Sequence, residues 1–114
     1  MSQVCRIDIG RGQALYPELE EKLRILADRI RECYPVTRII VFGSYVRGEL
    51  HEGSDIDLVV VGNIPGRFHE RGTFIRDLTD LPVETLCYTP HEFGEMVRQD
   101  NILIQTVLAE GRDV

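Results

Sequence analysis

Leu19, Leu23, Leu26, Ile30 and Cys33 recur at three- and four-residue spacing. That stripe predicts a helix from Glu18 to Tyr34, with Pro17 suited to its first turn and Pro35 ending it. The pattern then changes. Val36 to Phe42 and Ile56 to Val61 are short, mostly β-branched apolar runs, the signature of buried strands. The first stops abruptly at Gly43-Ser44 and opens onto a short helix, and a third strand is predicted from Pro82 to Tyr88. Gly62 to Gly66 reads as a turn. Phe68, Arg71, Ile75 and Leu78 predict a helix through Thr79, weakened by Gly72. Thr89-Pro90-His91-Glu92 is a capping box and starts a helix carrying Phe93, Met96 and Val97. Asn101 caps a last helix through Ala109, stopped by Gly111. Val4 to Ile9 alternate weakly before Gly10-Arg11-Gly12, so residues 1–12 read as an edge strand, a segment pairing with a second subunit, or a mobile arm. The order of elements suits an α+β domain: a small mixed sheet with helices packed on it.

The junctions of the first two strands carry the chemistry. Ten residues separate Ser44 from Asp55. Asp55 and Asp57 stand two apart at the entrance of the second strand, so both project from one face. Gly43 lets backbone approach a phosphate closely, and Ser44 offers a hydroxyl and an N–H. Arg47 lies one turn along the short helix, where a guanidinium can meet a phosphate bidentately. Paired acids beside such a turn suit a nucleoside triphosphate held through Mg²⁺ or Mn²⁺, hard cations that take carboxylate and phosphate oxygens.

The Gly43-Ser44 turn, Arg47-Gly48, the spacer and Ser54-Asp55-Ile56-Asp57-Leu58 together resemble a minimal nucleotidyltransferase of the DNA polymerase β superfamily. The resemblance runs from about Tyr16 to the C-terminus. It implies the polymerase-β-like nucleotidyltransferase fold, with Asp55 and Asp57 as metal ligands and catalytic acids and with ATP as co-substrate. Gly43, Ser44 and Arg47 then bind its phosphates. It also implies a third carboxylate on a later strand. Glu84 is the candidate, although the family more often has Asp there, and its bland alternative is a solvent-facing strand residue.

Composition adjusts this picture. A chain of 114 residues, 43% apolar, is one domain with a modest core. With 13 basic residues against 19 acidic ones, extended binding to nucleic acid is disfavoured. No apolar run is long enough to span a bilayer and no signal segment opens the chain, as expected of a small soluble domain, and three widely spaced cysteines point to the cytoplasm. Cys5, Cys33 and Cys87 read as reduced thiols, the last two as small core residues. His51, His69 and His91 show no metal-ligand spacing, and His51 reads as a solvated loop residue. Arg67, Arg71 and Arg76 read as a solvated face, with contact to a nucleotide or partner as the alternative.

Three functions are open at this point. In the first, the chain transfers AMP from ATP to an acceptor hydroxyl. Small members of the family resemble the antitoxin of a two-gene pair, whose partner is a helical HEPN-type toxin modified on a tyrosine. Only three residues follow Gly111, so no further domain is expected to grip an acceptor. In the second, the chain is a non-catalytic module that covers its partner. In the third, it modifies a small molecule, such as an aminoglycoside, as a homo-oligomer whose second subunit completes the pocket.

Overall fold

A computed structural model describes residues 16–114. The elements are α1 (Pro17–Cys33), β1 (Val36–Phe42), α2 (Ser44–Arg47), β2 (Ile56–Gly62), α3 (Phe68–Arg76), β3 (Val83–Tyr88), α4 (Pro90–Arg98), α5 (Ile102–Glu110) and β4 (Arg112–Asp113). They form one mixed sheet in the order β3-β2-β1-β4, flanked by helices. β1 runs antiparallel to β2 and to β4, whereas β2 and β3 are parallel. A parallel pair needs a crossover, and α3 supplies it.

Strand alternation divides the interior in two. Ile39, Val41, Ile56, Leu58, Val60, Val83 and Cys87 face the α1 stripe of Leu23, Leu26, Ala27 and Ile30, together with Ile75 of α3. Ile40, Val59, Val61 and Tyr88 face the other way, onto Phe93, Ile104 and Val107 of α4 and α5. Asp57 and Glu84 belong to this second face by the period of two, but they stand at the opposite end from Val61 and Tyr88. There the apolar cover gives out: Asp57 is half-buried and Glu84 exposed.

Several details depart from the sequence-based expectation. β4 was not foreseen. Two residues are too few to show a period, and the strand exists because Gly111 turns the chain back along β1, pairing Arg112 with Val41 and Asp113 with Ile40. A Cβ on Gly111 would lie 2.6 Å from Ile40 Cγ2, so only glycine permits this approach. Second, Cys33 is exposed at the end of α1, where the helix leaves the core; Cys87 is buried, and burial pushes its thiol up to about 11. Third, α3 stops at Arg76, and Asp77 and Leu78 continue only as a turn, short of Thr79.

Gly72 weakens α3 less than its propensity suggests, because it serves packing. A Cβ there would sit 2.9 Å from the Thr85 carbonyl oxygen, so its absence lets α3 lie directly on β3. Arg71 is internal rather than part of a solvated face. It donates to the carbonyls of Gly66 and Cys87 and to Glu92, tying α3 to the start of α4. Glu92 also accepts the Thr89 N–H while Thr89 accepts that of Glu92, the capping box expected there. Asn101 caps α5 by accepting the Ile104 N–H. Among the described residues, no helix is long and apolar enough to cross a membrane. Cys5 and the alternating segment at residues 4–9 lie outside the described residues.

Candidate active site

The site is assembled where β1 ends and β2 begins. Because these strands are antiparallel, Phe42 stands opposite Asp57, and the turn after β1 meets the entrance of β2. Gly43 has φ +77° and ψ −151°, backbone that is essentially confined to glycine. A Cβ on it would fall 2.3 Å from Asp57 Oδ2. The turn and the acid therefore abut, with no room for a side chain between them.

The parallel register sets Asp57 directly opposite Glu84 on β3. Asp55, exposed just before β2, is close enough to act on the same carboxylate. Burial first, then the charges of Glu84 and Asp55, push the Asp57 carboxyl above its ordinary range, and Arg47 opposes them in part. The structure thus brings Asp55, Asp57, Glu84, Gly43 and Arg47 to one end of the sheet, with Ser44 following Gly43 as the first residue of α2. His51 is exposed in the spacer, its backbone N–H on Ser54 Oγ, as a loop residue should be.

Such a group of acids fits a hard divalent cation. Every donor is a carboxylate oxygen, and a cation would offset both the burial and the like-charge repulsion that raise Asp57. Among the described residues no three His, Cys, Asp or Glu side chains gather closely enough to hold a metal ion between them. A cation held here would need ligands beyond these side chains; Mg²⁺ commonly takes one or two carboxylates and completes its shell with phosphate oxygens and water.

Arg47 is engaged within the protein. It donates to Glu49 at 2.8 Å and to Glu110 at 3.0 Å. The same Glu110 Oε1 accepts the Gly43 N–H at 3.2 Å. Sequence reasoning missed Glu110. One signal for it existed: a glutamate ending a helix that has no basic residue in its last turn is set against the helix dipole, so something else must hold it.

The short α2 is anchored from behind. Tyr45 is buried in the α1 side of the core and donates to Glu20 at 2.6 Å, while Arg112 of β4 grips the same carboxylate at 2.8 and 3.0 Å. Tyr16 packs on Tyr45, ring centroids 5.3 Å apart, and its hydroxyl accepts the Leu50 N–H from the spacer. Residues from α1, β4 and the spacer thereby fix the turn that carries Gly43 and Ser44.

Known proteins resemble this chain in sequence and in fold. Residues 23–109 match the nucleotidyltransferase domain family. The protein adenylyltransferase MntA of Thermococcus cleftensis is 40% identical over 80 residues, 68% of this chain and 81% of its own length. A relative from Methanocaldococcus jannaschii, assigned by its name as a protein adenylyltransferase, is 49% identical over 51 residues; the match spans 45% of this chain and 58% of that protein. Among solved structures, one assigned by its name as a minimal nucleotidyltransferase superposes with a TM-score of 0.61 at 21% identity, covering 92% of this chain and all of the other. A toxin–antitoxin solved with AMP-PNP superposes with a TM-score of 0.55 at 25% identity, covering 82% of this chain and 70% of the matched one. The family match includes the turn, the spacer and the acidic strand, and the chain belongs to the nucleotidyltransferase domain family.

Proposed function

We propose that this chain transfers AMP from ATP to a hydroxyl on a protein partner, a tyrosine of a HEPN-type toxin, and so acts as a cytoplasmic antitoxin. The observation that carries the reading is the abutment of Gly43 and Asp57. It sets a backbone able to approach phosphate against an acid able to hold a cation on the same phosphate. The likeness to a protein adenylyltransferase and to a toxin–antitoxin solved with a nucleotide analogue supports the choice of ATP and of a protein acceptor.

In this reading Asp55 and Asp57 hold Mg²⁺ with Glu84 beside them, and Gly43, Ser44 and Arg47 orient the phosphates. Bound Mg²⁺ would supply charge neutralisation at the phosphate oxygens and favour loss of the acceptor proton. Glu84, exposed and opposite Asp57, would accept that proton in this reading. The tyrosine oxygen attacks the α-phosphorus, the bond to the bridging oxygen breaks, and pyrophosphate leaves.

The test is to look for a small helical protein encoded beside this chain, incubate the two purified proteins with ATP and Mg²⁺, and follow with intact-mass and peptide analysis. A +AMP shift on a toxin tyrosine, lost in the Asp55→Asn, Asp57→Asn double variant, is the expected result. Neutralisation of the toxin by that double variant, with no mass shift from either protein, would establish the non-catalytic module instead.

A further inference from the structure

Glu110 occupies the polar groups that the nucleotide reading assigns to phosphate. One oxygen of its carboxylate takes both the Gly43 N–H, at 3.2 Å, and the Arg47 guanidinium, at 3.0 Å. The backbone around it is tightly held. The Gly111 N–H closes onto the Val107 carbonyl at 2.7 Å, a Cβ on Gly111 would collide with Ile40, and Arg112 and Asp113 are paired to β1. The side chain, by contrast, keeps its rotatable bonds and is partly open to solvent. It also ends α5, which has no basic residue in its last turn, so the helix offers the carboxylate no support. Glu49, Asp55, Asp57 and Glu84 add further negative charge around Arg47 and the turn.

We propose that Glu110 is a further residue of the nucleotide site, an internal carboxylate that competes with phosphate for Gly43 and Arg47 and so sets the affinity for triphosphate. Nucleotide entry exchanges one anion for another: the glutamate swings out on its own side-chain bonds while the turn and β4 stay in place. The inference rests on the nucleotidyltransferase reading of the site. It adds that the free energy of phosphate contact is partly offset by the contact that must first be released. Charge-assisted hydrogen bonds are roughly twice as strong as neutral ones, so replacing the carboxylate by an amide should tighten binding about five- to tenfold.

The experiment is calorimetric titration of the full chain with Mg²⁺ and either a non-hydrolysable ATP analogue or inorganic pyrophosphate. Wild type is compared with Glu110→Gln and with Glu110→Asp, whose shorter side chain falls back from both donors. Tighter binding in both variants, retained with pyrophosphate, is expected, because the gain lies at the phosphate end. Binding by wild type with unchanged or weaker binding by Glu110→Gln overturns the competition and leaves the nucleotide site standing. No binding by wild type or either variant overturns both. A measurement on the unsubstituted chain does not depend on how the variants fold. Titration with pyrophosphate should move the Gly43 amide resonance and the Glu110 side-chain carboxyl ¹³C resonance together. A Gly43 shift with a stationary Glu110 carboxyl carbon overturns the displacement.

Discussion

Asp57 and Glu84 face each other across the parallel β2–β3 pair, and burial, with repulsion from Glu84 added to it, keeps the Asp57 carboxyl above its ordinary range. Carboxylates on neighbouring strands of one sheet face cannot retreat far from each other, because the register fixes their backbone. Folding alone therefore pays for this arrangement in stability, and a bound cation with phosphate would recover it.

Asp57→Asn should accordingly act in opposite directions on fold and function. The amide keeps the volume and removes the charge, so the thermal midpoint measured with a chelator present should rise by a few degrees. Transfer of AMP should fall to background. A variant with full activity would remove Asp57 from the proposed metal site, and a lowered midpoint would show that the crowding is not a cost.

Gly43→Ala tests the abutment. Its backbone lies in a region that costs an L residue about 1–3 kcal/mol, and the new methyl would overlap Asp57 Oδ2. Reduced stability in chemical denaturation and loss of nucleotide binding are expected together. Ser44→Ala, by contrast, should raise the ATP concentration needed for half-maximal rate with little change in the unfolding midpoint.

The anchor behind α2 gives a pH dependence. Burial raises the Glu20 carboxyl, but hydrogen bonds from Arg112 and Tyr45 outweigh it and leave the group below its ordinary value. Glu92 is lowered in the same way, by Arg71 and then by the Thr89 N–H. A carboxylate lowered on folding adds stability that is fully present above its unfolded value and is lost as pH falls through the folded one. The thermal midpoint should therefore drop on acidification from about pH 6 to about pH 3, across the carboxylate range. The drop should be shallower in Glu20→Gln, which starts from a lower midpoint. Equal slopes would assign the acid sensitivity to other groups.

Gly72→Ala sets helix propensity against packing. Alanine favours a helix interior by about 1 kcal/mol over glycine, whereas forcing a methyl against backbone costs about 1–3 kcal/mol. With the Thr85 carbonyl 2.9 Å from the new Cβ, packing should win. A net loss of about 1 kcal/mol is expected in urea unfolding. A stabilised variant would show that α3 can lift from β3 without penalty.

Much of this protein is written in local pattern. The helical stripe of α1, the three apolar strands, the capping residues Thr89 and Asn101, and the Gly43 to Asp57 constellation were all legible, because side-chain period, capping chemistry and turn residues act over a few neighbouring positions. The fold class followed from their order. What could not be read was set by contacts distant in the chain. The end of α5 marks Glu110 only as a carboxylate in need of a partner; nothing local names Gly43 and Arg47 as that partner, or Glu20 as the partner of Arg112, since each pair meets only when α5 and β4 close along β1. Arg71 likewise looks like any helix-surface cation until the start of α4 folds over it. Two-residue β4 has no period at all and exists only because β1 offers an unpaired edge. Cys33 fits the helical stripe by spacing, yet the core ends one turn before it, and where a core ends is decided by the surfaces that pack there.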